Sequence, residues 1–322
     1  MRKAEAWICR TTNTAPRIEA FVVPTLTSNE VLLRVKAVGL NFADILMLKG
    51  SYQATPPTPF VLGMEFAGVV EEVGDAVSAF AVGDRVMGVP GHGGLAEFAV
   101  LPETKLRHCP PTMDDISAAG FQIAYGTSHL ALTHRARLLA GETLLVIGAA
   151  GGVGLTAVEV GHQLGARVIA VARGKEKLEI AKAAGADVLI DSESADLLSE
   201  LRSLGPIDVV YDAVGGELGE TALRVMAPDG RFLVIGFASG RLPQLKPNHL
   251  LVKNQSVIGF YWGGYDAFNP TVLNTSLAEL SLWHAEGRIK PHVSHVLPFE
   301  RALEGLELLR SRKSSGKIVI TR

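Results

Sequence analysis

A glycine-rich run near the middle of the chain constrains its fold more than any other feature. Residues 148–154 read Gly-Ala-Ala-Gly-Gly-Val-Gly, behind an apolar stretch at 144–147 and ahead of a helical pattern at 155–164. Glycines allow a sharp turn from strand to helix, and the amides at the start of that helix can bind a pyrophosphate. The residues predicted to contact a dinucleotide are Gly148, Ala150, Gly151, Gly152, Val153 and Gly154.

The spacing of this run, G-x-x-G-x-x-G, is one residue longer than the common dinucleotide fingerprint, so the surrounding chain has to support it. A glycine turn can also serve only to pack a helix closely on its strand. The chain that follows alternates predicted strands at 167–171, 188–190, 208–211 and 231–235 with predicted helices at 175–184, 195–204 and 217–226. This alternation is typical of an α/β fold with a doubly wound parallel sheet, whose first strand carries the nucleotide turn.

The end of the second predicted strand indicates which dinucleotide is bound. An acidic residue usually binds the ribose 2′-hydroxyl there, whereas this chain has Ala172 and Arg173. Segment 172–178 contains three basic residues and one acidic residue, and a guanidinium can bind a 2′-phosphate through two hydrogen bonds. NADPH is therefore favoured over NADH, with Arg173 and Lys177 as candidate ligands. The alternative for the lysines is a solvated helix face.

The rest of the chain is organised differently. Short predicted strands at 31–38, 69–73 and 85–89, separated by many glycines, are typical of a small irregular β domain. After Trp262 a helix is predicted at 275–286, a strand at 292–297, a helix at 300–311 and a last strand at 317–321. We interpret these as the chain returning to the first domain. The predicted domains are residues 1–122 with 266–322, and residues 123–265.

Composition sets the outer bounds. A chain of 322 residues with 48% hydrophobic content can bury a large core and is long enough for about two domains. The formal net charge is −2 and there is no basic block, so nothing indicates nucleic acid or anionic lipid as a partner. Cys9 and Cys109 form no C-x-x-C motif, which is typical of reduced thiols. The start of the chain has no apolar leader, and its longest uncharged runs are interrupted by glycines and fall short of the ~20 residues that span a bilayer. We therefore expect a cytoplasmic protein without a membrane segment.

Several short motifs occur in a recognisable order along nearly the whole chain, with the glycine run between the fourth and the fifth. They lie at 41–44 (Asn-Phe-Ala-Asp), 63–68 (Gly-Met-Glu-Phe-Ala-Gly), 83–86 (Gly-Asp-Arg-Val), 124–127 (Ala-Tyr-Gly-Thr), 212–216 (Asp-Ala-Val-Gly-Gly) and 316–319 (Gly-Lys-Ile-Val). Together they resemble the zinc-free quinone oxidoreductase (zeta-crystallin-like) branch of the medium-chain dehydrogenase/reductase superfamily. The resemblance implies a GroES-like β domain, a Rossmann domain inserted before the C-terminal return, and an active site in the cleft between them.

The same superfamily contains zinc alcohol dehydrogenases, so the metal has to be decided from residues. Where those enzymes place a cysteine and a histidine ligand, this chain has Asn41 and Met64. Zinc prefers thiolate, imidazole or carboxylate donors, and a catalytic site needs three of them from the protein. His292 and His295 are close in sequence, but on a strand they would point to opposite faces. We therefore expect no bound metal.

Without a metal, an activated acceptor such as a quinone is the better fit, because the charge of the incoming hydride delocalises onto oxygen. Asn41 is the first candidate to orient the nicotinamide ribose or to donate to that oxyanion. Tyr52 is a candidate for lining the acceptor pocket and for delivering a proton, the alternative being an ordinary aromatic loop residue. Asp44 is interpreted as a structural acceptor and not as a general base.

Other site residues follow from the resemblance and from position. Tyr125 and Thr127 are predicted to contact nicotinamide or phosphate, and Gly236 and Phe237 follow the fifth strand at the ligand-binding edge. Phe260, Tyr261 and Trp262 follow the segment 256–259 and are predicted to wall the nicotinamide pocket. The alternative for three adjacent aromatics that alternate in direction along a strand is core or dimer packing. Lys317 is predicted to reach the cofactor from a closing loop, the alternative being a solvated lysine.

Two features depart from the family pattern. In the helix after the glycine run, relatives commonly have a Gln and then a Lys or Arg where this chain has Glu159 and His162. Near the third strand they often have a Tyr where this chain has Ser192. Ser192 can hydrogen-bond a phosphate but cannot stack on an adenine.

These residues predict an NADPH-dependent, metal-free oxidoreductase that transfers hydride to a quinone. The nearest alternative is an NADPH-dependent reductase of conjugated alkenals, enones or enoyl thioesters. An alternative of another class is a nucleotide-binding redox sensor or scaffold with little catalysis. The resemblance also implies a homodimer formed through the edge strand near residues 256–262.

Overall fold

The computed structural model describes residues 2–322, and in it the chain leaves one folded unit and later returns to it. The first unit comprises the residues up to Ile123 together with Pro291–Arg322, and the second comprises Ala124–Lys290. The predicted return at residue 266 was too early. Residues 266–290 belong to the second unit, where Ser276 hydrogen-bonds His129 (Oγ to Nδ1, 2.9 Å) and the ring of Trp283 lies 5.1 Å from that histidine.

The N-terminal segment is mostly strands. Its elements are β1 Lys3–Cys9, β2 Arg17–Val22, β3 Glu30–Leu40, α1 Phe42–Leu48, β4 Phe60–Val61, β5 Glu65–Val73, β6 Arg85–Gly88, β7 Phe98–Pro102, β8 Leu106–His108 and α2 Asp115–Ala119. The predicted strands at 31–38, 69–73 and 85–89 correspond to β3, β5 and β6. The sequence did not predict β1, because its buried inward positions include the small residues Ala4 and Ala6, which give a weak hydrophobic alternation.

The second unit alternates strands with helices. Its elements are α3 Gln122–Leu130, β9 Thr143–Ile147, α4 Gly152–Gln163, β10 Arg167–Ala172, α5 Lys175–Ala183, β11 Val188–Asp191, α6 Leu197–Ser203, β12 Ile207–Asp212, α7 Gly216–Val225, β13 Met226–Val234, α8 Pro247–Lys253, β14 Ser256–Gly259, α9 Tyr265–Phe268 and α10 Pro270–Ala285. The six strands form one parallel sheet in the order β11-β10-β9-β12-β13-β14. Every residue of β9 is buried, as expected of a strand covered on both faces. The predicted doubly wound sheet is confirmed.

The returning segment completes the first unit. It contains β15 Val293–Pro298, α11 Ala302–Arg310 and β16 Lys317–Thr321. β16 pairs antiparallel with β3, with Ile318 opposite Leu40, and β3 pairs antiparallel with β5. This arrangement brings Lys317 beside the end of β3, where Asn41 follows. Among residues 2–322, no helix combines the length and the apolar character needed to cross a bilayer.

The edge strand predicted near residues 256–262 was wrong in its second half. β14 ends at Gly259, and Phe260 donates the last hydrogen bond toward β13, to the Val234 carbonyl at 3.2 Å. Residues 262–264 then form a 3-10 turn. The ring of Trp262 packs at this turn and is buried, so the three aromatics do not alternate along a strand.

Candidate active site

Asn41 is held by a buried hydrogen-bond network at the end of β3. The Nζ of Lys317 donates to the Leu40 carbonyl, to Asn41 Oδ1 and to Glu65 Oε1, each at 2.8 Å. Asn41 Nδ2 donates to Glu65 Oε1 at 3.0 Å and to the Gly39 carbonyl at 3.2 Å. The side chains of Lys317 and Glu65 are only 8% and 2% exposed. The cation and the carboxylate therefore fix the amide in one orientation, since a flipped amide would turn its NH₂ group toward the ammonium.

This network changes the roles predicted for two residues. Both N–H bonds of the Asn41 side-chain amide are used by protein acceptors, so donation to a substrate oxyanion is not supported. The acceptor atom of this side chain is Oδ1, which accepts from the Lys317 ammonium. Lys317 is the first residue of β16 and not part of a loop. All three of its N–H bonds have acceptors within the first unit, and one of these acceptors is Asn41 Oδ1.

Asp44 supports the same corner of the fold. Its Oδ2 accepts a hydrogen bond from the Asn41 backbone amide at 2.8 Å, at the start of α1. Burial raises the pKa of this carboxyl to about 7, against the opposing effects of the Asn41 amide and the charge of Lys317. Complete burial and a backbone partner agree with its interpretation as a structural acceptor.

The donor set around Asn41 does not fit a zinc ion. Met64 offers only a thioether, and the Asn41 carbonyl oxygen and Glu65 Oε1 both accept from the Lys317 ammonium, whereas zinc prefers thiolate, imidazole or carboxylate ligands. The other Glu65 oxygen accepts from the Ile123 amide at 3.1 Å. In the described part of the chain, residues 2–322, no three His, Cys, Asp or Glu side chains are grouped as a metal site would require. Here the local cation is an ammonium.

Tyr52 lies just after α1. Its ring is half-buried and packs against the apolar core of the first unit, and its backbone carbonyl accepts from Thr55 N at 3.1 Å and from Thr55 Oγ1 at 2.7 Å. The ring therefore has a packing role of its own. Proton delivery by its hydroxyl stays a prediction.

The glycine run forms the turn between β9 and α4. Gly148 has a φ of 79°, and its carbonyl accepts from the Gly151 amide at 2.9 Å. A Cβ on Gly154 would overlap that same carbonyl oxygen, so only glycine fits this close approach. The amides of the first helical turn, at Gly152, Val153 and Gly154, have no partner within an α-helix. A turn of this shape, with the positive end of α4 directed at it, fits a pyrophosphate.

Three buried hydroxyls support this turn, and the sequence did not reveal them. Ser128 Oγ donates to the Val153 carbonyl at 2.8 Å and lies 2.7 Å from Thr156 Oγ1 and 3.1 Å from Tyr211 Oη. Thr156 Oγ1 also donates to the Ala124 carbonyl at 3.0 Å. The only sequence signal for this network was the presence of single polar residues within apolar helices and an apolar strand. The network attaches the N-terminal turn of α4 to α3 and β12.

Tyr125 is tied to the helix that follows the glycine run. Its hydroxyl donates to Glu159 Oε2 at 2.5 Å, and Glu159 Oε1 accepts from the Lys290 amide at 2.6 Å. Burial raises the pKa of Glu159, and burial together with the neighbouring carboxylate raises the pKa of Tyr125. The family departure at Glu159 thus has a structural consequence, because one carboxylate binds both ends of the second unit. The Tyr125 hydroxyl is already engaged by protein, and cofactor contact by its ring stays a prediction.

The remaining aromatic candidates pack on protein. The indole of Trp262 lies against Gly126, where an added Cβ would be 2.5 Å from Nε1. The Phe260 ring lies 5.7 Å from that of Tyr265. Thr127 is buried within α3. Phe260 and Trp262 thus pack against other residues of the protein, as the alternative interpretation expected. Contact of these rings, or of Thr127, with nicotinamide stays a prediction.

Arg173 stands directly after β10, as predicted. Its Nε pairs with Glu193 Oε1 at 3.0 Å, and both side chains are more than half exposed. Ser192 follows β11 in the adjacent position, with its amide donating to the Ala172 carbonyl at 2.9 Å, and Lys177 lies on the first turn of α5. The three residues predicted for a 2′-phosphate therefore come from neighbouring segments. The sequence missed Glu193, which no motif marks.

Gly236 and Phe237 follow β13 at the same edge of the sheet. Phe237 is 41% exposed, and the Gly236 amide donates to the Asp212 carbonyl at 3.2 Å. Asp212 begins the motif at 212–216 but was not predicted as a site residue. It ends β12 and accepts at Oδ1 from the amides of Val214 and Gly215, each at 2.8 Å. Burial raises the pKa of this carboxyl, and the two amides oppose that rise. It shapes the turn next to the glycine run, where a Cβ on Gly148 would come within 2.8 Å of Val214 Cγ2.

The parallel sheet brings most of the predicted cofactor residues to one edge. The turns after its strands lie at the carboxyl end of the sheet, which is where open α/β sheets bind ligands. Asn41, Tyr52 and Lys317 belong to the first unit, and Asn41 and Lys317 are in direct contact there.

Comparisons with protein families match both units. Residues 27–111 match the alcohol dehydrogenase GroES-like domain, and residues 152–277 match the zinc-binding dehydrogenase family. The first match confirms the predicted type of the N-terminal domain. The name of the second family refers to zinc, and the donor set around Asn41 described above does not fit a zinc ion.

Similar proteins extend over almost the whole chain. A quinone oxidoreductase-like protein 2 homolog from Nematostella vectensis is 39% identical over 308 residues, which are 94% of this chain and 84% of the relative. The quinone oxidoreductase of Thermus thermophilus, whose structure was also determined as a complex with NADPH, is 32% identical with a TM-score of 0.88, covering 99% of this chain and 100% of the other. The CurK enoyl reductase is 27% identical with a TM-score of 0.88, covering 100% and 99%.

Proposed function

Because this chain belongs to the zinc-free quinone oxidoreductase family of medium-chain dehydrogenases/reductases, we propose that it is an NADPH-dependent oxidoreductase that reduces a quinone. The proposal that the protein binds NADPH rests on the carboxyl edge of the parallel sheet. There a glycine turn opens a 12-residue helix, and Arg173 stands where an NADH site has a carboxylate.

The second unit supplies the groups that would bind NADPH, whose dihydronicotinamide donates a hydride when bound. The amides of Gly152, Val153 and Gly154 fit the pyrophosphate, with Gly148, Ala150 and Gly151 forming the turn that presents them. Arg173, Lys177 and Ser192 would bind the 2′-phosphate through charge-assisted and neutral hydrogen bonds. Tyr125, Thr127, Gly236, Phe237, Phe260 and Trp262 are proposed as further contacts.

In the first unit, Asn41 is proposed to accept a hydrogen bond from a ribose hydroxyl through Oδ1. This role agrees with its saturated NH₂ group and its fixed orientation, because an acceptor held in place loses little entropy on binding. Lys317 is a positioning residue that holds Asn41, and Tyr52 is proposed to line the acceptor pocket and to deliver a proton. An ammonium that is fully hydrogen-bonded to protein cannot polarise a substrate carbonyl as a zinc ion would. The site therefore favours acceptors such as quinones, which need no Lewis acid.

A second candidate is reduction of conjugated enones or enoyl thioesters, which the likeness to the CurK enoyl reductase favours. Both reactions use the same hydride donor and differ in the shape of the acceptor pocket. A redox sensor that binds NADPH without turnover is the remaining alternative of another class.

Steady-state assays separate these functions. With NADPH as donor, we expect turnover of 1,4-naphthoquinone and phenanthrenequinone, followed as loss of absorbance from the reduced nicotinamide. A long-chain enone and an enoyl thioester serve as the comparison acceptors under the same conditions. Turnover of these two with silent quinones would replace the first function by the second, and tight NADPH binding with four silent acceptors would favour the sensor.

We also propose that the protein is a homodimer formed along β14. This strand ends the six-stranded sheet, and within residues 2–322 no strand covers its outer side. An uncovered edge presents backbone donors and acceptors to a second strand. Leu251 and Val252 on the adjacent α8 are 78% and 75% exposed, which is unusual for apolar side chains that remain in water. A second copy pairing along this edge would cover both features.

Light scattering tests the dimer, and we expect a mass of twice 34.2 kDa. Val252→Lys should shift the protein toward the monomer, because the added charge would be buried against the second copy. Leu139→Lys, at an equally apolar position that is 63% exposed in another part of the unit, is the control and should leave the mass unchanged. A monomeric wild-type protein contradicts this proposal.

A further inference from the structure

An acidic side chain stands against the residue proposed to select NADPH. Arg173 Nε lies 3.0 Å from Glu193 Oε1, and the two side chains are 58% and 62% exposed. Exposed pairs of this kind contribute little to stability, because water solvates both charges and the long side chains lose entropy on pairing. The ion pair is therefore easily opened, and stability does not explain why Glu193 lies beside Arg173.

Glu193 cannot move far from Arg173 when the pair opens. Asp191 Oδ1 accepts from the Gly174 amide at 3.3 Å and from the Glu193 amide at 3.0 Å. One carboxylate oxygen therefore connects the segment after β10, which carries Arg173, to the segment after β11, which carries Glu193. Ala172 and Asp191 are also paired in register across β10 and β11. The backbone that carries Glu193 is thereby fixed next to the backbone that carries Arg173.

Glu193 also changes the local charge that the sequence indicated. Segment 172–178 alone has an excess of basic residues, but the last residue of β11, Asp191, and the turn after it, with Glu193, add two acidic ones. The combined set has no net formal charge and consists of Arg173, Lys175, Glu176, Lys177, Asp191 and Glu193. A 2′-phosphate carries about two negative charges near neutral pH. It would have to displace Glu193 from Arg173 and then lie close to the released carboxylate.

We propose that Glu193 is a specificity-determining residue, which competes with the 2′-phosphate for Arg173 and so weakens the preference of this site for NADPH over NADH. The inference rests on the proposed function, since it assumes that this edge of the sheet binds a dinucleotide. Removing the carboxylate increases the preference, because Arg173 becomes available and the repulsion is lost. Glu193 makes no contact of its own with the nucleotide in this scheme.

Calorimetry with two nucleotide fragments tests the inference without any acceptor. 2′,5′-ADP carries the 2′-phosphate and 5′-ADP lacks it. In the full-length protein, Glu193→Gln should tighten binding of 2′,5′-ADP by about five-fold, the size of one exposed charge pair, and change that of 5′-ADP by less than about two-fold. Glu179→Gln, an exposed acidic residue further along α5, controls for overall charge and should change both by less than about two-fold.

The same substitution in an Arg173→Gln background completes the cycle. In that background, the change in log Kd for 2′,5′-ADP caused by Glu193→Gln should be less than about half of the change in the wild type, because the two residues act on one phosphate. Weaker binding of 2′,5′-ADP to Glu193→Gln would overturn the inference, since it would mean that the carboxylate preorganises Arg173. An equal change for both nucleotides, or the full effect without Arg173, would overturn it too. If the wild type binds neither fragment and no NADPH, the proposed function fails as well.

Discussion

Replacing Lys317 with methionine is expected to lower the free energy of unfolding of the first unit by about 3–5 kcal/mol, the cost of breaking a buried ion pair. Methionine keeps the apolar stem but removes the ammonium, which leaves the buried carboxylate of Glu65 without its cation. The Leu40 carbonyl and Asn41 Oδ1 lose their donor at the same time. Hydrogen exchange of the β16 peptide measures the loss directly, with β9 in the second unit as an internal reference.

Two further variants make this result specific. Lys313→Met removes an exposed lysine four positions away and should stay within about 0.5 kcal/mol of the wild type. Adding Glu65→Gln to Lys317→Met should recover part of the loss, because no uncompensated charge then remains buried. A cost below about 1 kcal/mol for Lys317→Met, or no recovery in the double variant, would contradict the network as described.

The parts of the fold that the sequence predicted are those specified locally. The glycine run and the alternation of apolar strands with helical patterns lie within short windows, and the parallel sheet follows from them. The sequence analysis predicted the return to the first unit too early. The reason is that a helical pattern such as that of α10 indicates which face of the helix is apolar, but not which unit that face packs against. Contacts from Ser276 and Trp283 to His129 made that choice, across a large sequence separation.

The site shows the same division. Asn41, Arg173 and the glycine turn could be predicted because each lies in a motif, whereas their partners could not. Glu65 and Lys317 reach Asn41 only because β5 and β16 are neighbours of β3, and Glu193 reaches Arg173 only because β11 pairs with β10. Positive charge counted along segment 172–178 overstated the local net charge, because the compensating acids come from the neighbouring strand and the turn that follows it.

Glu159 illustrates how a departure from a family pattern acquires meaning in the structure. In sequence it only replaces a common glutamine. In the fold it accepts hydrogen bonds from Tyr125 and from the Lys290 amide, close to the two ends of the second unit. It also lies on α4, the helix that the glycine turn opens. One side chain thus connects the candidate pyrophosphate site to both points where the chain enters and leaves this unit.

Replacing Gly154 with alanine is expected to weaken NADPH binding by at least about 100-fold and to destabilise the second unit by about 3 kcal/mol or more. The new Cβ would overlap the Gly148 carbonyl oxygen, which itself accepts from the Gly151 amide. Both groups belong to the backbone, so no side-chain rotation relieves the overlap and the turn has to open. Quenching of tryptophan fluorescence by NADPH gives the affinity, and hydrogen exchange of β9 gives the local stability.

Gly151→Ala is the matched variant, because its Cβ would lie 3.4 Å from the same oxygen, an ordinary contact. Gly151 is the N-cap of α4 with a φ of −78°, which alanine adopts without strain, so the cost to stability should be about 1 kcal/mol or less, the difference between glycine and alanine as a cap. NADPH binding should still weaken, since the methyl group projects where the pyrophosphate approaches the helix start. Equal losses of stability in the two variants would contradict the tight turn, and unchanged NADPH binding in Gly151→Ala would place the pyrophosphate elsewhere. The pair therefore separates what the glycines do for the fold from what they do for the ligand.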